Sequence, residues 1–297
     1  MKKDWIVRDL LNTSYNYLKD KKIESPRLCA ELLLCHALKM DRLRLYMDME
    51  KPLTQKEISL YRKLVRRRIK GEPLYYIIGK REFWSLKFKV TPDVMIPRVE
   101  TEHLVECAIE KYRKSKWKGQ EIVRFMDIGV GCGNISISLL TELPNCHFYC
   151  TDISLNALKI ARQNAKAHNV YERMNLILGD LFPSIRSTQN LFHIIVSNPP
   201  YIPTDHIPKL SREIREWEPR IALDGGKDGL RFIYRIISQA HHYLNPQGWL
   251  IMEIGYDQSE KVYDIAVRSA KYSKIEISKD LSGIARVVML QKMGLKP

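Results

Sequence analysis

The sequence predicts an α/β protein: a mainly parallel sheet covered on both faces, with an antiparallel edge, preceded by a small α-helical bundle. Three observations carry this. From about Thr101 onward, apolar runs of strand length alternate with stretches of helical periodicity, the pattern of strands joined by crossover helices. The last two runs, at 275–279 and 285–290, have no helix between them and so pair antiparallel. Ahead of this alternation, the first 70 residues show helical spacing alone.

In the leading segment, Ser25-Pro26 reads as a cap followed by proline at the first helical position. It opens a helix from Arg27 to Met40 with Leu28, Leu32, Cys35 and Leu38 on one face. Thr54 and Glu57 form a capping box, and Ile58, Tyr61, Val65 and Ile69 continue at helical spacing until Gly71 and Pro73 stop the helix. The outer face of that helix carries Arg62, Lys63, Arg66, Arg67 and Lys70, which reads either as a solvated face or as a docking surface. The run from Phe83 to Val90 is strand-like, half of a hairpin joining two domains. Helix 102–112 follows. Strands are expected near 122–128, 147–151, 174–178, 192–197 and 248–254, with helices near 133–142, 154–168, 227–244 and 257–270. The resulting division is a helical domain over 1–72, a hairpin linker over 73–98 and a large domain over 99–297. The segment from Ile202 to Arg220 reads as a loop carrying Asp205, Glu213, Glu216 and Glu218.

Composition narrows the class of protein. The 297 residues suit one large and one small domain, with 28% charged and 45% hydrophobic residues. Met1-Lys2-Lys3 leads into Trp5-Ile6-Val7, which Arg8 and Asp9 cut off, so no secretory leader is expected. No apolar run reaches transmembrane length, and no membrane association is expected. Six cysteines without a C-x-x-C pair read as free thiols of a reducing cytosol, which places the protein in the cytoplasm. Cys29, Cys35 and His36 sit on an apolar helix and read as core packing, so no metal is expected. The net charge of +15 is uneven: residues 1–80 hold 19 Lys and Arg against 10 Asp and Glu. That end would attract a polyanion or a protein bound to RNA.

Gly129-Val130-Gly131-Cys132-Gly133 follows one strand and opens a helix, where glycines let the backbone approach a ligand. It is not the dinucleotide fingerprint, because position 134 is Asn134 and not glycine. Asp152 ends the next strand, where a carboxylate can accept both ribose hydroxyls. Asp180 ends the third and can accept from an adenine amino group; Asp127 adds an acid near the loop. Acids at three successive strand ends suit a cationic sulfonium amino acid and would repel a pyrophosphate.

Asn198-Pro199-Pro200-Tyr201 ends the apolar run Phe192-His193-Ile194-Ile195-Val196. A planar NH2 group is a poor nucleophile because its lone pair is delocalised. Two acceptors bonded to its hydrogens fix its orientation and draw the nitrogen toward tetrahedral geometry. Asn198 offers a side-chain carbonyl, and Pro199 offers a backbone carbonyl oriented by Pro200. Tyr201 can stack on the planar group. Methyl transfer is then an in-line displacement helped mainly by positioning, and no residue stands out as a base.

These residues resemble those of the release-factor glutamine methyltransferases, the HemK/PrmC family. The resemblance runs through Gly71-Glu72-Pro73, Ile96-Pro97-Arg98-Val99-Glu100-Thr101-Glu102, Asp127 to Gly133, Asp152-Ile153-Ser154, Gly179-Asp180-Leu181-Phe182 and Ser197 to Ile202. It continues through Glu218-Pro219, Gly225-Gly226, Asp228-Gly229-Leu230, Glu253-Ile254-Gly255 and Gln258. Asn-Pro-Pro-Tyr is shared with adenine methyltransferases; the segment from Pro97 to Glu102 is the discriminating one. Val99 stands where the family usually has proline.

The resemblance implies a class I, Rossmann-like S-adenosylmethionine-dependent methyltransferase domain preceded by a helical bundle that helps bind the substrate. The implied activity is methylation of the side-chain amide nitrogen (N5) of the Gly-Gly-Gln glutamine in class I peptide chain release factors, a step of translation termination. S-adenosyl-L-methionine is the donor and S-adenosyl-L-homocysteine the product. Gly129 to Gly133, Asp152, Leu181 and Asn198 contact the cofactor by this resemblance, and Asn198, Pro199, Pro200 and Tyr201 hold the glutamine. Sequence-specific nucleic-acid binding is not expected. The competing readings are a ribosomal-protein glutamine methyltransferase, an adenine N6-methyltransferase on DNA or RNA, and a non-enzymatic RNA-binding protein with a decayed methyltransferase fold.

Overall fold

A computed structural model of the chain describes residues 5–183 and 191–294; Met1-Lys2-Lys3, on which the expectation of no leader rests, lies outside them. The chain divides into two compact units, Met1–Lys80 with Ser211–Trp217, and Arg81–Leu210 with Glu218–Pro297.

The first unit is helical. Helices α1 (Val7–Asp20), α2 (Pro26–Leu38), α3 (Arg42–Met47), α4 (Gln55–Ile69) and α5 (Leu74–Ile78) surround a core in which Leu11, Leu18, Leu33, Leu34 and Tyr61 are fully buried. Each buried leucine contributes about 1.5–3 kcal/mol of transfer free energy, which offsets the cost of ordering so short a chain. Cys29 and Cys35 pack in this core while His36 is exposed. The capping box holds α4 as expected: Glu57 Oε2 accepts the Thr54 N–H at 2.8 Å and Thr54 Oγ1 accepts the Glu57 N–H at 3.3 Å. Ser25 does not cap α2. Its backbone is left-handed, with φ 47°, and its hydroxyl makes no capping bond, so Pro26 alone sets the first turn. Gly71, with φ +96°, supplies the left-handed turn beyond α4.

The segment read as a loop contains a sixth helix of this unit, here α6 (Arg212–Trp217). The Arg68 guanidinium holds it: that side chain is 3% exposed and donates to Glu213 and to the Glu72 carbonyl. Arg67 is likewise turned onto Glu72, which leaves Arg62, Lys63, Arg66 and Lys70 as the exposed basic face of α4.

Glu31 is the other charge inside this unit. Its carboxylate accepts from Arg27 at 2.8 Å, from Arg42 at 2.6 and 3.0 Å, and from the Tyr46 hydroxyl. Burial pushes the carboxyl up, but the hydrogen bonds from Tyr46, Arg42 and Arg27 outweigh it and hold the group below the usual carboxylate range. An acid with a depressed folded value adds stability above its unfolded value and loses it as pH falls through the folded one. Glu31→Gln is therefore expected to cost about 1–3 kcal/mol at pH 7. The difference should shrink as pH falls below about 4.3. Urea midpoints of both chains at pH 7 and pH 3 measure this; an equal gap at the two pH values would remove charge as the cause.

The second unit begins with a hairpin, β1 (Lys80–Phe83) and β2 (Leu86–Lys89). The run from Phe83 to Val90 is thus not one strand. Trp84 and Ser85, at φ 51° and 58°, make a two-residue turn inside it, so both hairpin strands share the run. Then come α7 (Glu102–Arg113), β3 (Val123–Ile128), α8 (Asn134–Glu142), β4 (Cys146–Asp152), α9 (Leu155–Ala167), β5 (Met174–Leu178) and β6 (Phe192–Ser197). The chain finishes with α10 (Arg231–Tyr243), β7 (Leu244–Glu253), α11 (Ser259–Ser269), β8 (Tyr272–Lys279) and β9 (Ala285–Lys292).

Seven strands form one sheet in the order β5-β4-β3-β6-β7-β9-β8. The first five are parallel, and β9 pairs antiparallel with both β7 and β8, the edge expected from the missing helix. Every residue of β6 is buried, as a strand covered on both faces requires. Met126, Ile195, Leu250 and Val288 pack on one face against Ile233 and Ile237 of α10 and Val262 of α11. The other face is covered by α7, α8 and α9, with Tyr112 edge-on to Phe125. The chain leaves β3 toward β4 and β5 but returns to β6 on the opposite side. The carboxyl ends of β3 and β6 therefore open a crevice at the switch point.

Candidate active site

Two loops face each other at that switch point. The one after β3 is anchored through its backbone: Gly129 and Val130 N–H both donate to the Thr151 carbonyl at 2.9 Å. Gly129 and Gly131 have φ of +75° and +54°, and a Cβ placed on either would meet nothing within 4 Å. Both line the cavity at the switch point, so their bare backbone forms a cradle that side chains would fill. Gly133 serves packing instead, since its Cβ would lie 2.8 Å from Ile137 Cδ1.

Asp152 ties this loop to β4. One carboxylate oxygen accepts the Gly131 N–H and the other the Ser154 N–H, both at 2.9 Å, while Ser154 caps α9 through the Ala157 N–H. Burial pushes the Asp152 carboxyl up, with the Ser154, Gly131 and Ile153 amides pulling the other way. Each carboxylate oxygen has a second lone pair, so two hydroxyls can still donate to it from the cavity. Asp180 also lines the cavity, but its carboxylate accepts a two-pronged contact from Arg235 at 2.7 and 3.2 Å. Leu181, at φ 63°, lines it too, and its carbonyl accepts the Thr151 hydroxyl at 2.6 Å.

Asp127 differs from the other two acids. It is fully buried beneath the loop, outside the cavity lining, and burial pushes its carboxyl up to about 7. The charge of the crevice therefore rests on two acids, Asp152 and Asp180, and not on three.

Within the second loop, Asn198 and Pro200 line the cavity, whereas Pro199 and Tyr201 do not. Asn198 Nδ2 donates to Thr101 Oγ1 at 3.1 Å, and among the described residues no hydrogen bond reaches its Oδ1. The backbone of this loop is held close by glycines. A Cβ at Gly229 would lie 2.3 Å from the Tyr201 carbonyl oxygen, and one at Gly225 2.9 Å from that of Pro200. Gln258 Nε2 donates to the Tyr201 carbonyl at 3.0 Å while its Oε1 accepts the Gly255 N–H. The Tyr201 ring sits behind the wall, with its hydroxyl donating to buried Glu253 at 3.1 Å. Arg98, on the wall, donates to buried Glu218 at 2.5 Å.

In the sequence Thr101 and Glu253 stand out only as parts of the matching segments, and Glu218 there and as an acid of the 202–220 loop. Nothing local marks what they touch. Among the described residues no group of three or more His, Cys, Asp or Glu could hold a metal, and all six cysteines are free and buried. No helix among them is long and apolar enough to cross a membrane.

The seven-stranded sheet with its crevice and glycine cradle is that of the class I methyltransferases. Solved structures bear out the fold: the hMettl16 catalytic domain aligns at TM-score 0.54 in complex with MAT2A 3'UTR hairpin 6, over 70% of this chain and 76% of that one. With hairpin 1 it aligns at 0.53 over 78% and 82%, and the identities are 16% and 17%. The PrmC N-terminal domain matches residues 9–79 and the methyltransferase small domain residues 114–214. Two proteins named release factor glutamine methyltransferase are similar over nearly the full length. That of Geobacter sulfurreducens is 42% identical, covering 96% of each chain, and that of Nitratidesulfovibrio vulgaris is 36% identical, covering 98% and 97%. The chain belongs to the release factor glutamine methyltransferase family, and it is a methyltransferase.

Proposed function

We propose that this enzyme transfers a methyl group from S-adenosyl-L-methionine to the side-chain amide nitrogen of the Gly-Gly-Gln glutamine in class I peptide chain release factors, in the cytoplasm. The observation that carries the reading is the orientation of Asn198. Its Nδ2 is occupied by Thr101, so its Oδ1 is left for the cavity beside the bare Gly129–Gly131 backbone. The cradle and the two acids fit the donor. The glycine backbone passes along it, Asp152 accepts its ribose hydroxyls, and Asp180 and Leu181 border its adenine.

When bound, the donor supplies an electrophilic sulfonium methyl and leaves as S-adenosyl-L-homocysteine. Asn198 Oδ1 accepts one N–H of the glutamine amide, and the Pro199 carbonyl accepts the other once it turns into the cavity, which Pro199 does not line here. These bonds turn the nitrogen lone pair toward the methyl and exclude water from the line of attack. The methylated nitrogen sheds a proton to solvent without a dedicated base. Tyr201 acts by fixing this loop through Glu253.

The helical unit is proposed to dock the release factor, with Lys63 and Arg66 on its exposed basic face. The acids of the segment 202–220 do not by themselves separate a protein substrate from a nucleic acid. Glu213, Glu216 and Glu218 are each paired with arginine, by Arg68, by Arg212 and Arg215, and by Arg98. The choice of a protein acceptor is supported instead by the full-length relatives and what they are named for.

The test incubates the protein with methyl-labelled donor and, separately, a class I release factor, its Gly-Gly-Gln glutamine variant, ribosomal protein, DNA and RNA. Label is expected on the release factor and is expected to disappear with the glutamine. Lys63→Glu with Arg66→Glu should raise KM for the release factor and weaken its salt dependence, since exposed charges steer through a screened field. Efficient labelling of nucleic acid with none on the release factor would overturn the proposal.

A further inference from the structure

Beyond the groups that meet the substrate, four side chains form one continuous chain behind the Asn-Pro-Pro-Tyr loop. Asn198 Nδ2 donates to Thr101 Oγ1 at 3.1 Å, Thr101 Oγ1 donates to Glu253 Oε2 at 2.7 Å, and the Tyr201 hydroxyl donates to Glu253 Oε1 at 3.1 Å. Thr101 and Glu253 are buried, at 1% and 2% exposure, on the segment preceding α7 and at the end of β7. We infer that Thr101 and Glu253 are positioning residues that fix which end of the Asn198 amide faces the substrate and where Tyr201 holds the loop.

Donor and acceptor counts fix the orientation. A carboxylate accepts only, so with Glu253 ionised both hydroxyls must donate to it. Thr101 has a single hydroxyl proton, and spending it on Glu253 leaves its oxygen able only to accept. The group facing that oxygen must then be the NH2 of Asn198 and not its carbonyl. In the flipped orientation two acceptors would face each other, and an NH2 would meet the glutamine amide, which needs an acceptor. The two ends of an amide have nearly the same shape, so packing alone does not choose between them; a directed hydrogen bond does. Burial pushes the Glu253 carboxyl up, while the Thr101 and Tyr201 hydroxyls and the Arg286 charge pull it down and Glu100 raises it. Neither Thr101 nor Glu253 touches the reacting atoms. Their effect passes through Asn198.

The inference rests on the proposed role of Asn198, and the experiment separates the two. Thr101→Val keeps the shape and removes the hydroxyl, Thr101→Ser keeps the hydroxyl, and Glu253→Gln keeps the shape but adds an NH2 that must donate to one of the two hydroxyls. With the release factor as acceptor, Thr101→Val is expected to lower kcat by about 10-fold or more, a share of what loss of a preorganised group costs, and Glu253→Gln by less, because its carbonyl can still accept from Thr101 while its NH2 donates to Tyr201. KM for the release factor and Kd for the donor should stay within about 3-fold, because uniform binding is untouched. Thr101→Ser should restore kcat. A Thr101→Val enzyme with normal kcat, or a Thr101→Ser enzyme as impaired as it, overturns the inference. If Thr101→Val does not fold, Thr101→Ala decides in its place, and normal kcat in that folded variant overturns the inference too. Should the wild type methylate some other acceptor, the proposed substrate falls, and the same variants assayed on that acceptor still test the network.

Discussion

Asn198→Ala is expected to lower kcat by about 100-fold or more, the cost of removing a preorganised group aimed at where charge develops. The side chain makes one hydrogen bond within the described protein, to Thr101, and its other end faces the cavity. Its removal leaves one N–H of the glutamine amide without an acceptor, and the lone pair stays delocalised at the moment of attack. Because Asn198 lies at a cavity wall and not in the core, the fold should hold, and the thermal midpoint should stay close to that of the wild type. Release-factor KM should change far less than kcat, since the lost interaction strengthens as the reaction proceeds. Asn198→Asp separates geometry from chemistry: it keeps both acceptor positions but cannot donate to Thr101, whose proton is already given to Glu253. It should therefore also be slow. An alanine enzyme retaining most of its kcat would remove Asn198 from the reaction and with it the proposed mechanism.

Why the strands and loops of this site were legible, and its supports were not, comes down to distance along the chain. The end of β6 is announced by a run of strand length, apolar but for His193 and Ser197, that leads through Asn198 into two prolines, and the cradle by three glycines in five positions. Both signals are local. Helix α6, Arg212-Glu213-Ile214-Arg215-Glu216-Trp217, has only the pair Ile214 and Trp217 as an apolar face, too short to mark a helix; it is held by Arg68, 145 residues away. The turn at Trp84-Ser85 is hidden for another reason. Left-handed turns are usually marked by glycine or asparagine, and here two ordinary residues take positive φ inside a strand-like run. Thr101 and Glu253 lie 152 positions apart, and only the pairing of β6 with β7 beside the segment preceding α7 brings them together. Asp127 and Asp152 show the limit most directly. Both end strands beside the same loop, yet one is sealed beneath it and the other faces the cavity, because depth is set by what packs above and not by residue type.

Asp152→Ala should chiefly weaken binding of the donor, with Kd raised about ten- to over a hundredfold. Hydrogen bonds to a charged group are typically worth about 1.5–3 kcal/mol. Two losses add in this variant. The ribose hydroxyls lose their acceptor, and the Gly131 N–H loses the oxygen 2.9 Å away that holds the cradle in shape. Asp152→Asn distinguishes them, since its remaining carbonyl oxygen can keep the Gly131 bond while giving the hydroxyls a weaker, uncharged partner. It should fall between the wild type and the alanine variant. Burial raises the Asp152 carboxyl, so wild-type stability should rise as pH falls and the acid is protonated, a dependence the alanine variant lacks. Loss of the bonds to the Gly131 and Ser154 amides opposes whatever removal of the buried charge gains, so the ligand-free thermal midpoints of the two chains are compared at pH 7 and at lower pH. Calorimetric titration with S-adenosyl-L-homocysteine gives the affinity, and thermal unfolding without ligand gives the stability. An unchanged Kd in a folded alanine variant would sink the ribose assignment. A large loss of ligand-free stability would show that Asp152 serves the fold more than the site.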